Sequence, residues 1–136
     1  MASSSRARAT LLAVAAVAGI ATAATVARAA SVLDFDVWMR AIDKRSVEVQ
    51  RNIDARKTDA AAADAQELAR LYGLMEAYFV ADGHTDDAVT MSRSGKELAA
   101  AIPAALATQE YDKASKAAVD LAHACNDCHD VHKPFQ

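Results

Sequence analysis

Cys125, Cys128 and His129 are the residues whose types and spacing could do chemistry. They sit in the pentapeptide Cys125-Asn126-Asp127-Cys128-His129, a C-x-x-C-H pattern, and these two cysteines are the only ones in the chain. C-x-x-C-H is the attachment pattern of a c-type haem. Each thiol can add across one porphyrin vinyl group, and the adjacent imidazole can then reach the iron as its proximal ligand. A covalent tether and an axial ligand in five residues make a more specific signal than a bare C-x-x-C. Two other chemistries use similar letters. A thioredoxin-like dithiol requires a strand-loop-helix context, and no stretch of period two is present. A zinc site could combine Cys125, Cys128, His129 and His132. Structural zinc, however, usually takes its second ligand pair from a separate segment. One covalent haem c per chain is the expectation, and an exported metal or thiol site is the alternative.

The N-terminal residues fit a haem protein assembled outside the cytoplasm. Arg6 and Arg8 form a basic start with no acidic residue before Asp34, Leu11 to Val26 is apolar, and Ala27-Arg28-Ala29 has the small-x-small cleavage pattern. Residues 1–29 therefore read as a secretory signal peptide, too alanine-rich for a strong membrane span. Arg6 and Arg8 are not adjacent, so no twin-arginine signal is indicated. The mature part, residues 30–136, reads as one small domain with no stable membrane span, and the expected location is the periplasm.

Charge narrows the partners. Without Arg6, Arg8 and Arg28 the 15 basic side chains fall to 12, against 18 acidic ones, a formal charge of −6. That balance argues against nucleic acid, which requires clustered Lys and Arg. It is compatible with docking to a basic patch on a redox protein partner.

Four segments must position the pentapeptide, and all four have helical spacing. The first runs from about Asp34 to Asp54 with Phe35, Trp38, Met39, Ile42, Val49 and Ile53 on one face, capped by Asp34 or Asp36. The second runs from about Asp59 to Val80 with Leu68, Leu71, Met75, Tyr78 and Phe79, capped by Thr58 or Asp59 and followed by an Asp82-Gly83-His84 turn. The third starts near Asp86 and turns Ala88, Met91, Leu98, Ile102 and Leu106 inward, with Pro103 expected to kink or end it. The fourth runs from about Glu110 to His132, with Ala114, Ala118, Leu121, Cys125, Cys128 and His129 on one stripe and Pro134 beyond it. Over that stripe the three motif residues rise only about 6 Å at 1.5 Å per residue. The fold class expected is all-α, an antiparallel up-down-up-down four-helix bundle. So much alanine predicts space between the helices, which a haem would fill.

In that topology the end of helix four lies beside the starts of helices one and three and the end of helix two. Met39, Met75 and Met91 are then the thioethers that could face His129. Met75 is on the diagonal helix, and Met39 sits on the inner stripe beside Trp38. A methionine on an apolar face also serves simply as core filler. Trp38 reads as a core or haem-wall residue, His123 and His132 as surface or supporting groups, and His84 as solvated. No paired carboxylates, nucleophile-base set or phosphate-binding glycine loop suggests an enzyme.

With the motif at the end of a fourth helix and Met39 in the first, the mature chain resembles the class II c-type cytochromes, the cytochrome c-prime group and its low-spin relatives. The resemblance implies Cys125 and Cys128 as thioether tethers, His129 as proximal iron ligand and Met39 as distal ligand. It implies a monohaem electron carrier and admits a homodimer. Its high-spin members imply the alternative, a five-coordinate protein that binds nitric oxide or carbon monoxide beside a non-ligating residue. The sequence departs from the family at Lys133 and Phe35, where arginine is common. Arg40, Lys44 and Lys133 remain as candidate partners for the haem propionates.

Overall fold

A computed structural model describes residues 29–83 and 86–132. All of the expected signal peptide except Ala29 lies outside the described residues, as do His84, Lys133 and Pro134. The described chain is all-helical, with α1 Val32–Asp54, α2 Thr58–Asp82, α3 Asp86–Ala107 and α4 Tyr111–Val131, and it contains no strand. None of these helices is long and apolar enough to cross a membrane.

Each helix packs against its chain neighbour and α4 packs back on α1, while the diagonal pairs stay apart. The result is a helical bundle. Its core joins Ile42, Val49 and Ile53 of α1 to Leu68, Leu71, Tyr72, Met75 and Phe79 of α2, Ile102 and Leu106 of α3, and Leu121 of α4. Phe35 of α1 closes one α1–α2 contact by meeting Tyr78 and Phe79 at ring-centroid distances of 5.0 and 5.4 Å. Polar clamps lie nearer the surface. Arg45 of α1 and Asn52 both donate to the buried Asp64 of α2. Arg93 and Lys96 of α3 both donate to Glu76 of α2.

The caps differ from the sequence expectation. Ser31, not Asp34 or Asp36, caps α1: its hydroxyl accepts from the Asp34 N–H while its own N–H donates to Asp34 Oδ2 at 2.8 Å. Asp34 thus closes a capping box from the third helical position. Asp36 instead pairs with Arg40. Neither Thr58 nor Asp59 caps α2, where Lys57 occupies the cap without a side-chain bond. The Thr58 hydroxyl is engaged elsewhere, 2.8 Å from the Tyr111 hydroxyl at the start of α4. Gly83 ends α2 at φ 69°, the left-handed conformation glycine adopts most readily. Pro103 does not end α3, which continues to Ala107. A proline removes its own N–H from the ladder and crowds the carbonyl four residues earlier, that of Ala99, yet the helix continues for a further turn.

Alanine acts differently from expectation. Ala61, Ala65, Ala88, Ala99 and Ala114 are fully buried, so most interfaces close by bringing backbones together rather than by leaving space. The inner face of α3 is accordingly small as far as Ala99, before Ile102 and Leu106. Ser92, Gly95 and Ala99 are buried, whereas Met91 and Leu98 lie at its margin. Open space is concentrated at one interface, between α1 and α4, which is also the least extensive of the four.

Candidate functional site

The last two turns of α4 carry the motif. Cys125 and Cys128 are half-buried free thiols. His129, expected on the inner stripe, is exposed. At about 100° of rotation per residue, a helix that turns Cys128 toward α2 and α3 swings His129 round toward α1. There it reaches the α1–α4 cleft.

That cleft has a volume of about 700 Å³, within the range of small-molecule sites. Met39, Ile42 and Cys125 line its motif end with His129, and Ser46, Gln50, Arg51 and Asp54 line it farther along α1. A second, small void of about 20 Å³ adjoins the first and shares Met39, Ile42, Cys125 and His129 with it. Tyr72, Met75, Met91, Ser92, Ala124 and Cys128 complete its wall. All three candidate methionines therefore gather around the motif, but only Met39 lines both spaces. Trp38 packs on the margin of the core.

The electrostatics of Cys128 separate the chemistries. Burial, then neighbouring Cys125 and Asp87, push the Cys128 thiol above its ordinary pKa. A redox-active dithiol needs the reverse, a thiolate favoured by a cation or a helix N-terminus. Cys125 Sγ stands 3.0 Å from the Tyr72 hydroxyl, and burial followed by Cys125 pushes that phenol upward as well. For zinc, the fourth candidate ligand is engaged: His132 Nε2 lies 3.1 Å from Asp87 Oδ2. Among the described residues no group of three or more His, Cys, Asp and Glu side chains is gathered to hold a metal ion.

The donor set and the space fit a covalent haem better. The Cys125 thiol, the exposed His129 imidazole and the Met39 thioether border a cleft that the helices do not fill, and Cys128 lines the small void beside it. The cleft wall also contains two buried polar atoms without partners, Ser46 Oγ and Gln50 Oε1. Such atoms are unfavourable in a finished core and point to an occupant or water. The described propionate candidates, Arg40 and Lys44, do not line the cleft. Arg40 pairs with Asp36, and Lys44 lies 3.8 Å from Glu48. Arg51, which the sequence reading passed over, does line it. Its signal was present: steps of three and four from Met39 pass through Asp43, Ser46, Val47, Gln50 and Asp54. Those residues are mostly polar, so a search for apolar periodicity misses the face. Tyr72 and Gly95 were missed too, although Tyr72 falls between Leu68 and Met75 and Gly95 between Met91 and Leu98 at helical spacing.

No protein-family model, curated protein or solved structure matches the chain.

Proposed function

We propose that this chain is an exported, periplasmic monohaem c-type cytochrome of the class II kind, carrying single electrons between redox protein partners. The observation that carries the reading is the convergence of Met39 with Cys125 and His129 on one cleft, from helices at the two ends of the bundle sequence. The bundle is proposed to be antiparallel, up-down-up-down. Phe35 early in α1 meeting Phe79 late in α2 supports this, as does Gln50 late in α1 donating to Ser115 early in α4 at 3.0 Å.

When bound, the haem supplies one-electron chemistry between Fe(III) and Fe(II). Cys125 and Cys128 tether it by thioether bonds, and His129 provides the proximal imidazole. Met39 provides a distal thioether, which favours the reduced state relative to a second imidazole. Ile42 keeps the motif end of the cleft apolar. No side chain has to give or take a proton for such a carrier to work.

The test is production in a host with haem-attachment machinery, followed by acid extraction and absorption spectroscopy. A covalently bound, low-spin haem is expected, with a long-wavelength ferric band of methionine ligation that disappears in Met39→Ala. High-spin spectra with ready carbon monoxide binding by the wild type would replace the carrier with the gas-binding reading. A colourless protein would end both and leave a metal or thiol site.

A further inference from the structure

Tyr72 belongs to α2, yet its hydroxyl touches α4, a helix that α2 does not pack against. The residue is only 5% exposed, and its hydroxyl stands 3.0 Å from Cys125 Sγ. The ring reaches across the bundle by passing over α3 at Gly95. A Cβ at that position would fall 2.3 Å from Tyr72 Cε1, 2.6 Å from Cδ1 and 2.8 Å from Cζ. Any larger residue at 95 closes the route.

Packing alone does not account for this arrangement. Phenylalanine would fill the same space without burying a hydroxyl, and a thiol is among the weakest hydrogen-bond partners a buried hydroxyl can have. We infer that Tyr72 is a positioning residue for the first haem-tethering sulfur, donating its O–H to Cys125 and raising the reduction potential of the group tethered there. This inference rests on the haem reading above. A thioether sulfur has no proton, so the phenol must be the donor, and its burial disfavours the phenolate. The contact holds Cys125 turned into the bundle, toward the void that Met39 and His129 also line. The positive end of the O–H dipole would then lie against the tethering sulfur and would favour the state of the tethered group with one more electron.

The experiment is Tyr72→Phe in the holoprotein, which keeps the ring and removes only the hydroxyl. The reduction equilibrium should move about two- to fivefold toward the oxidised state, a fall of about 20–40 mV at 59 mV per tenfold for one electron. The carbon–sulfur stretching band of the Cys125 thioether should shift with it, while the axial-ligand bands stay in place. An unchanged potential and an unchanged carbon–sulfur band would overturn the inference while leaving the haem reading intact. If the wild type carries no covalent haem, that reading fails instead, and the contact is read on the free thiol. Tyr72→Phe must then move the S–H stretching band of Cys125 and not that of Cys128, and two unmoved bands would refute the contact.

Discussion

Replacing Gly95 by alanine tests the tightest passage in the bundle. Gly95 lies in the middle of α3, where alanine should on helix propensity alone stabilise by about 1 kcal/mol. Its new methyl group, however, would meet three carbons of the Tyr72 ring at 2.3, 2.6 and 2.8 Å. Carbon atoms attract best near about 3.5–4.0 Å, so the overlap exceeds 1 Å at the nearest atom. The ring is rigid, buried, and tied by its hydroxyl to Cys125. Relief therefore requires α3 to move off α2, across the most extensive interface in the molecule. Overpacking of this kind costs about 1–3 kcal/mol, and occasionally more. With three overlaps on an immobile ring, the upper part of that range applies. Net of the propensity gain, Gly95→Ala should lose about 1–2 kcal/mol, a fall in Tm of roughly 5–15 °C for a domain of this size. Gly73→Ala is the control on the facing helix. There the nearest side-chain atom to a new Cβ is Lys96 Cδ at 3.6 Å, an ordinary contact, so about 0.5–1 kcal/mol should be gained. Thermal melts of both variants and the wild type, in the same haem state, decide the matter. A Gly95→Ala protein melting at or above the wild type would refute the passage of Tyr72 over Gly95, and with it the contact to Cys125.

Three further outcomes concern the loops and the α2–α3 clamp. Gln109 holds φ 58° between α3 and α4, a conformation that costs a non-glycine residue roughly 1 kcal/mol. Gln109→Gly should therefore raise the denaturation midpoint by the equivalent of about 0.5 kcal/mol, after the added freedom of the unfolded chain is offset. Arg56, at φ 57°, should not respond in this way, because its guanidinium lies 4.0 Å over the Tyr111 ring and glycine would give that contact up. At the clamp, hydrogen bonds from Lys96 and then Arg93 hold the Glu76 carboxyl below the ordinary glutamate range. A carboxylate depressed in the folded state stabilises above its unfolded value, near pH 4.3, and loses that contribution as pH falls through the folded value. Glu76→Gln should thus be less stable than the wild type at neutral pH, by a margin that closes below about pH 4 in denaturant titrations. A margin constant with pH would show that charge is not its source.

Much of the fold was legible in the sequence because helical periodicity is a local property. The four segments fall within a few residues of the helices, and Gly83 and Asp86 mark a turn and a helix start where expected. Caps were less legible. Thr58 has the right chemistry to cap α2, but a distant hydroxyl, that of Tyr111, claims its side chain. The inner face of α3 was legible only in part, at Ala88, Ile102 and Leu106, for a related reason. Counting large apolar residues selects Met91 and Leu98, whereas close helix approach buries Ser92, Gly95 and Ala99.

By itself the sequence determined the chemistry available. Two thiols and an imidazole within five residues of one helix are a covalent fact, and their spacing on that helix follows from 3.6 residues per turn. Tertiary structure decided what those groups face. The least extensive helix interface became a cleft, and α4 presents His129 at its edge beside Met39. A glycine on α3 lets a phenol from α2 reach Cys125. None of these relations is periodic along the chain. Each depends on how closely two backbones approach, which small residues permit and the packing of the whole bundle settles.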